Sequence, residues 1–309
     1  MELRQLKYFI QVAESLNFTE ASKKLFITQS TISQQIKQLE EELNVLLFDR
    51  SEKQICLTEA GLEFLPHAVK VIQDAEYGKQ RLLDLQNIRT GELTIGVNYS
   101  FSGLLKNTVV KFLTLYPNIK LNILYKTVSE LIEMVRKREV DFVLSYKPVW
   151  EERSIESMDL FKTHLSVIVH KNHPLSKSKR ISIDEIKQYP LALPSKGLHA
   201  RSKLDASLYA NRTTLHPKIE LNEANILLQL VETGDWITIL SSSTIFGQKN
   251  FKAIPLAGDS FDMQAALLWI RDSYQKFSAK EFIKIMLEEE CYMASPSGKR
   301  KKENRKKDR

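Results

Sequence analysis

The chain has 309 residues, 43% of them hydrophobic, which exceeds what one hydrophobic core normally holds, so two or more folded domains are expected. No apolar run approaches the ~20 residues of a membrane span, and the amino terminus lacks the basic-then-apolar order of a secretory leader, which predicts a cytoplasmic protein without membrane contact. The net charge of +7 does not by itself argue for nucleic acid, because residues 299–309 hold eight Lys/Arg against two Asp/Glu while residues 1–58 hold seven basic and eight acidic side chains.

Leu3, Leu6, Phe9, Ile10 and Ala13 predict a first helix. A second is expected from an N-cap at Thr19, with Ala21 and Leu25 on its buried side and Phe18 pinning the corner before it. The third starts after Thr28. Ile32, Ile36, Leu39 and Leu43 recur at i, i+4, i+7 and i+11 and form one inward stripe, while Gln29, Ser30, Ser33, Gln34 and Lys37 fall on the opposite side. These hydroxyl and amide side chains suit base edges in a major groove once phosphate contacts have set the helix. A merely solvated face would carry more charge. Asn44 stands where the helix must end in the left-handed conformation. Leu46 to Thr58 predicts a wing hairpin around Ser51-Glu52-Lys53, with Arg50 and Lys53 placed to touch phosphate or the minor groove.

Residues 58–89 predict one long helix, interrupted by Pro66, whose stripe Leu65, Ala68, Ile72, Ala75 and Leu82 suits pairing of two copies. Packing within one chain is the alternative. After Thr90-Gly91 the pattern alternates between strands and helices: strands Leu93–Val97, Ile119–Tyr125 and Val140–Ser145, and helices Gly103–Tyr116 and Ser129–Arg138. Such alternation predicts a parallel sheet covered by helices. A second set runs from Leu165–Val169 to Ala253–Leu256, and Met263–Ile270 with a final helix Ala279–Glu290 closes the chain. Ligands of such sheets sit outside the carboxyl ends of the strands. Asn98-Tyr99-Ser100-Phe101, Thr127 and Tyr146 lie at those ends, and Ser195 to His199 precedes a helix of the second set.

The run from Leu6 through Phe9, Val12-Ala13, Phe18, Ala21, Leu25, Gln29-Ser30, Ile32-Ser33, Gln35-Ile36, Leu39-Glu40, Leu43, Leu47-Phe48-Asp49-Arg50 and Leu57-Thr58 to Ala60-Gly61 resembles the LysR-type transcriptional regulators. Ser22, Ser30, Gln34 and Asn44 stand where many relatives have Ala, Pro, Arg and Gly. The resemblance implies an α/β protein: an N-terminal winged helix-turn-helix plus a two-lobed, periplasmic-binding-protein-like effector domain. The implied segments are residues 1–58 for DNA binding, 59–90 for a linker and dimerisation helix, and 91–293 for the effector domain. In the last, lobe I covers about 91–161 and 267–293, and lobe II about 162–266. Residues 294–309 read as a disordered basic tail. The resemblance further implies contacts to an operator duplex from Thr28, Gln29, Ser30, Ser33, Gln34, Lys37, Arg50 and Lys53. A small-molecule effector would meet Tyr99, Ser100, Phe101, Thr127, Tyr146 and His199, in a homo-oligomer built as a dimer of dimers.

No cofactor is implied. Cys56 and Cys291 are too few and too scattered for a disulfide framework, and no close pair exists for peroxide sensing. His164, His170 and His173 cluster in sequence but lack a Cys or carboxylate set, so surface or strand-end roles are expected rather than a metal site. An enzyme and a small-molecule-binding module without DNA regulation are the alternative functions. No G-x-S-x-G elbow, P-loop or dinucleotide glycine run supports the first, and an uptake module would need export.

Overall fold

The computed structural model describes residues 1–50, 55–85, 90–148, 153–258 and 261–293. Lys53, the rest of the expected wing tip and the basic tail therefore lie outside the described residues, as does the side chain of Cys291. The chain divides into two compact units, residues 1–88 and 89–309.

In the first unit, α1 (Leu3–Ser15), α2 (Phe18–Leu25) and α3 (Gln29–Leu43) gather their apolar stripes around Phe9, Ile32, Ile36 and Leu39, none of which reaches solvent. Phe9 lies 5.4 Å from both Phe48 and Phe64, centroid to centroid, so wing and long helix share the core of the three helices. The cap of α2 lies two residues before the expected one. Asn17, not Thr19, caps it, its Oδ1 accepting from the backbone N–H groups of Thr19 at 2.9 Å and Glu20 at 3.0 Å. That start brings Phe18 into the first turn, edge-on to Phe48 at 5.8 Å. Thr28 caps α3 as expected, and Asn44 ends it at φ 56°. Strands β1 (Phe48–Asp49) and β2 (Cys56–Leu57) pair antiparallel and form the wing base. Helix α4 (Glu59–Leu85) runs through Pro66 as one element. Its apolar stripe divides: Leu65, Ala68 and Ile72 pack onto the three-helix core, whereas Ala75 and Leu82 are exposed. Three of the five residues of the expected pairing seam are thus used within the chain.

The second unit holds β3 (Gly91–Asn98), α5 (Ser102–Leu115), β4 (Ile119–Lys126), α6 (Val128–Arg136), β5 (Phe142–Tyr146) and β6 (Ile155–His170). The chain continues through α7 (Ile183–Ile186), β7 (Ala192–Pro194), α8 (His199–Ala210), β8 (Ile219–Leu221), α9 (Ala224–Glu232), β9 (Thr238–Ser241), β10 (Phe251–Pro255), β11 (Asp262–Ile270) and α10 (Phe277–Met293). Strand β3 pairs in parallel with β4 and β5, as the alternation predicts. The sheet as a whole is mixed. β11 runs antiparallel to both β5 and β6, and β6 antiparallel to β9 and β10. The reason is connectivity: β6 carries the chain out of the first lobe and β11 brings it back beside it. Because β6 is one strand of 16 residues rather than the short Leu165–Val169 expected, a single element serves both lobes. Its first half, Glu156 to Lys162, is exposed or half-buried throughout and lacks the unbroken apolar run that makes the second half legible.

Candidate functional sites

Helix α3 separates its two sides as the sequence predicts. Ile32, Ile36 and Leu39 are fully buried, Thr28, Gln29, Ser30, Gln34 and Lys37 are exposed, and Ser33 is half-buried at the edge of the open side. The Thr28 hydroxyl does two jobs. It accepts from the Thr31 N–H as the cap and lies 2.9 Å from Ser30 Oγ, so the first turn presents a preformed hydroxyl cluster. Lys37 pairs with Glu41 at 3.6 Å, an exposed i,i+4 pair of little energetic weight that still leaves the ammonium accessible.

Arg50 is more constrained than a free wing cation. Its Nη2 donates to Glu40 Oε2 at 2.9 Å and its guanidinium lies 5.0 Å over the Phe18 ring. Glu40 is itself buried, and its other oxygen accepts from the N–H groups of Leu47 at 2.9 Å and Phe48 at 3.1 Å. One carboxylate therefore ties α3 to the wing. The glutamate run 40–42 reads in the sequence as three similar solvated charges, and only the inward face at position 40, four and three residues from Ile36 and Leu43, distinguishes the buried one.

In the second unit, the starts of three helical segments meet. Asn98, Tyr99 and Ser100 from the end of β3, Leu198, His199 and Ala200 from the start of α8, and Asn222 and Ala224 from the start of α9 line one cavity of about 30 Å³. That is room for a water molecule or two. The Asn98 side chain accepts from the Ser100 N–H at 3.1 Å, while α8 has no side-chain cap. Tyr146 and Phe101 form the wall behind this cavity. Both are buried, their rings 4.9 Å apart, and Tyr146 stacks on His199 at 4.5 Å and 15°. Burial pushes the Tyr146 phenol above its ordinary pKa, against the pull of the Ser100, Ser241 and Ser243 hydroxyls, so it remains neutral.

Thr127 does not join this group. Its hydroxyl and N–H are engaged by Glu130 in a capping box at the start of α6, and it does not line the cavity. Tyr99 stacks on Tyr125 at 5.8 Å, holding one flank. The hydroxyl cluster Ser241-Ser242-Ser243 was not singled out from the sequence, although it follows β9 just as Asn98–Ser100 follows β3. Thr163 Oγ1 lies 2.7 Å from Ser241 Oγ and 2.9 Å from Ser242 Oγ, and Ser241 lies 2.7 Å from Ser243. The lobes meet here. A Cβ added to Gly103 in α5 would fall 2.6 Å from the Phe246 carbonyl oxygen of the other lobe. Phe161 bridges the same junction, 6.1 Å from Phe101 and 5.7 Å from Phe246.

His199 carries a pH dependence. Burial, helped by the charge of Lys203, lowers its pKa from 6.5 to about 4, so the folded chain holds it neutral where the unfolded chain would protonate it. The stability it supports is complete above pH 6.5 and is lost as the pH falls toward 4. At pH 5 the loss should be about 1–2 kcal/mol, allowing for its partial exposure. A His199→Gln variant should lose less between pH 7 and pH 5 in thermal unfolding, and an identical loss in both proteins would reject the assignment. Three other histidines have partners: His164 pairs with Asp262, His170 Nδ1 accepts from Asn172 N–H at 3.4 Å, and His173 Nδ1 from Leu175 N–H at 3.2 Å.

Residues 3–62 match the family model described as bacterial regulatory helix-turn-helix protein, lysR family, and residues 86–290 match that described as LysR substrate binding domain. The chain belongs to the LysR family. It is 33% identical over 246 residues to the transcriptional dual regulator GltC of Bacillus subtilis (strain 168), spanning 79% of this chain and 82% of GltC. It is also 28% identical over 291 residues to the transcriptional regulator BsdA of the same organism, spanning 92% of this chain and 99% of BsdA. Full-length CbnR, solved in complex with its target DNA, shares the fold at a TM-score of 0.62 and 22% identity, covering 94% of this chain and 100% of that one. This LysR-family chain is accordingly a DNA-binding transcriptional regulator and not an enzyme. Among the described residues, no helix is long and apolar enough to cross a membrane.

Proposed function

We propose that this regulator acts in the cytoplasm, reading an operator duplex with the open side of α3 and answering to a small molecule held between Ser100 and His199. The observation that carries the first half is the face of α3: hydroxyls and amides at Thr28, Gln29, Ser30, Ser33 and Gln34, backed by a fully buried stripe. Base contacts come from the N-terminal half of such a helix, and Lys37, farther along, suits phosphate. Arg50 sets the wing against α3 and offers its remaining face to the backbone.

The effector is received by Tyr99, Ser100 and His199, with Phe101 and Tyr146 as the wall behind. The uncapped start of α8 adds free backbone donors. Thr127 contributes by fixing α6. Because the cavity is so small, an effector larger than a water or two requires the lobes to part, and that movement is the signal. Two readers at fixed spacing match a two-fold operator, and this regulator works as a homo-oligomer, a dimer of dimers. The exposed Val110 and Leu115 on α5, with Leu124 on the neighbouring edge strand β4, support a second copy there, as does Leu82 on α4. Effector and DNA binding are then coupled by about 1–3 kcal/mol.

Replacing Ser33 and Gln34 by Ala should weaken specific operator binding by about 1–3 kcal/mol per lost base contact without lowering the melting temperature. Titration of a footprinted operator fragment against scrambled competitor measures this. Unchanged affinity would place the reading face elsewhere.

A further inference from the structure

Phe26 ends α2 in the left-handed conformation of a helix cap, its N–H donating to the carbonyls of Lys23 and Ser22, so folding explains the backbone there but not the choice of a phenylalanine. Its ring is 94% exposed, so it buries almost nothing. Its φ of 55° lies in the left-handed region, where a bulky side chain is strained and Asn or Gly is not. The same unit uses the inexpensive solution at the end of α3, where Asn44 takes φ 56°. Leu16, which ends α1 at φ 47°, covers about half of its surface in return. Phe26 covers none.

What lies beside it gives the reason. Phe26 precedes the Thr28 cap by two residues and Gln29, the first residue of α3, by three. Two residues span at most about 7 Å, so the ring stands next to the hydroxyl cluster of the first turn of α3. Lys23 and Lys24, both exposed, close the last turn of α2 on its other side. A duplex that admits the start of α3 must pass this turn, with phosphates near the lysines. We propose that Phe26 is a duplex contact, its ring covered in the bound state by the apolar surface of the groove wall, either a deoxyribose face or a thymine methyl. This rests on the reading face assigned to α3, and it names a specificity element outside that helix.

The test uses the full chain and the footprinted operator. Phe26→Asn relieves the backbone, so the melting temperature should hold or rise, while operator affinity should fall about tenfold, a change of about 1.4 kcal/mol. The slope of affinity against salt should stay unchanged, because no phosphate contact is lost. Uracil in place of each thymine separates the two sources. If one uracil weakens the parent and leaves Phe26→Asn unaffected, the ring meets that methyl; if none does, it meets sugar. Affinity of Phe26→Asn within twofold of the parent, with Ser33→Ala weakened, would overturn the inference and leave the reading face standing. Silence of both variants would remove the reading face itself. Intact operator affinity with lost promoter activity would assign the ring to a protein partner and overturn the inference as well.

Discussion

Replacing Glu40 with Ala should destabilise the first unit by about 3 kcal/mol and abolish operator binding at physiological temperature, although Glu40 itself touches no DNA. Its carboxylate is buried and holds three donors, the N–H groups of Leu47 and Phe48 and the Arg50 guanidinium. Truncation leaves two buried backbone donors unpaired, each costing on the order of 1–3 kcal/mol, and frees a half-exposed arginine. The wing then loses its register against α3. Arg50→Ala should be milder, about 1–2 kcal/mol, because both N–H bonds to the buried Glu40 carboxylate survive and water entering at the vacated, half-exposed arginine offsets part of the lost pair. Glu40→Gln should fall between the two, since one amide oxygen can still accept while the amide nitrogen cannot. Urea unfolding of the full chain, followed through a probe in the first unit, orders these variants. A Glu40→Ala loss below about 1 kcal/mol would mean that water replaces the carboxylate and that the wing is held by Phe48 packing instead.

The first unit was legible because its information is local. Ile32, Ile36 and Leu39 state the buried side of α3 by spacing alone, and Thr28 and Asn44 mark its ends with side chains that suit the required backbone. Asn17 and Thr19 are both competent caps two residues apart, and spacing does not choose between them; the contact of Phe18 with Phe48 does. The Glu40 anchor depends on where β1 folds back, information that lies in tertiary structure. In the second unit the parallel strands β3, β4 and β5 were readable from alternation, but the antiparallel placement of β6 and β11 was not. That pairing joins residues about 100 positions apart, such as His164 with Asp262, and no local pattern encodes it. The cleft follows the same division. Ser100 and His199, which line the cavity, are legible in the sequence by their places at a strand end and before a helix, whereas Ser241 to Ser243 acquire meaning only when β9 lies beside β6 and delivers them to Thr163. Thr127 shows the converse case, a capping threonine whose hydroxyl is fully engaged by its own helix.

Replacing Gly103 with Val should hold the lobes apart and uncouple the effector from transcription while leaving operator affinity intact. The Phe246 carbonyl approaches Gly103 so closely that a Cβ would stand 2.6 Å from a backbone oxygen, and neither α5 nor the turn ending at Ile245 can yield by a rotamer change. The cost of forcing the junction is about 1–3 kcal/mol if it stays closed, and opening is the less costly response. Amide exchange should then accelerate at Ser241 to Phe246 and at Ser100 and Phe101, where closure now shields the backbone, with no change in α3. No effector is needed for that measurement. Gly103→Ala should act in the same direction with a smaller amplitude, because its single methyl requires less displacement than the isopropyl group of valine. If exchange at the junction is unchanged while the second unit melts several degrees lower, the strain has been absorbed within α5. The close approach of the lobes would then be a packing feature and not the latch through which a ligand acts. If exchange accelerates and promoter output becomes fixed at one level, closure of the cleft is the variable that the regulator reports, and the small cavity behind Ser100 and His199 is the closed end of its range.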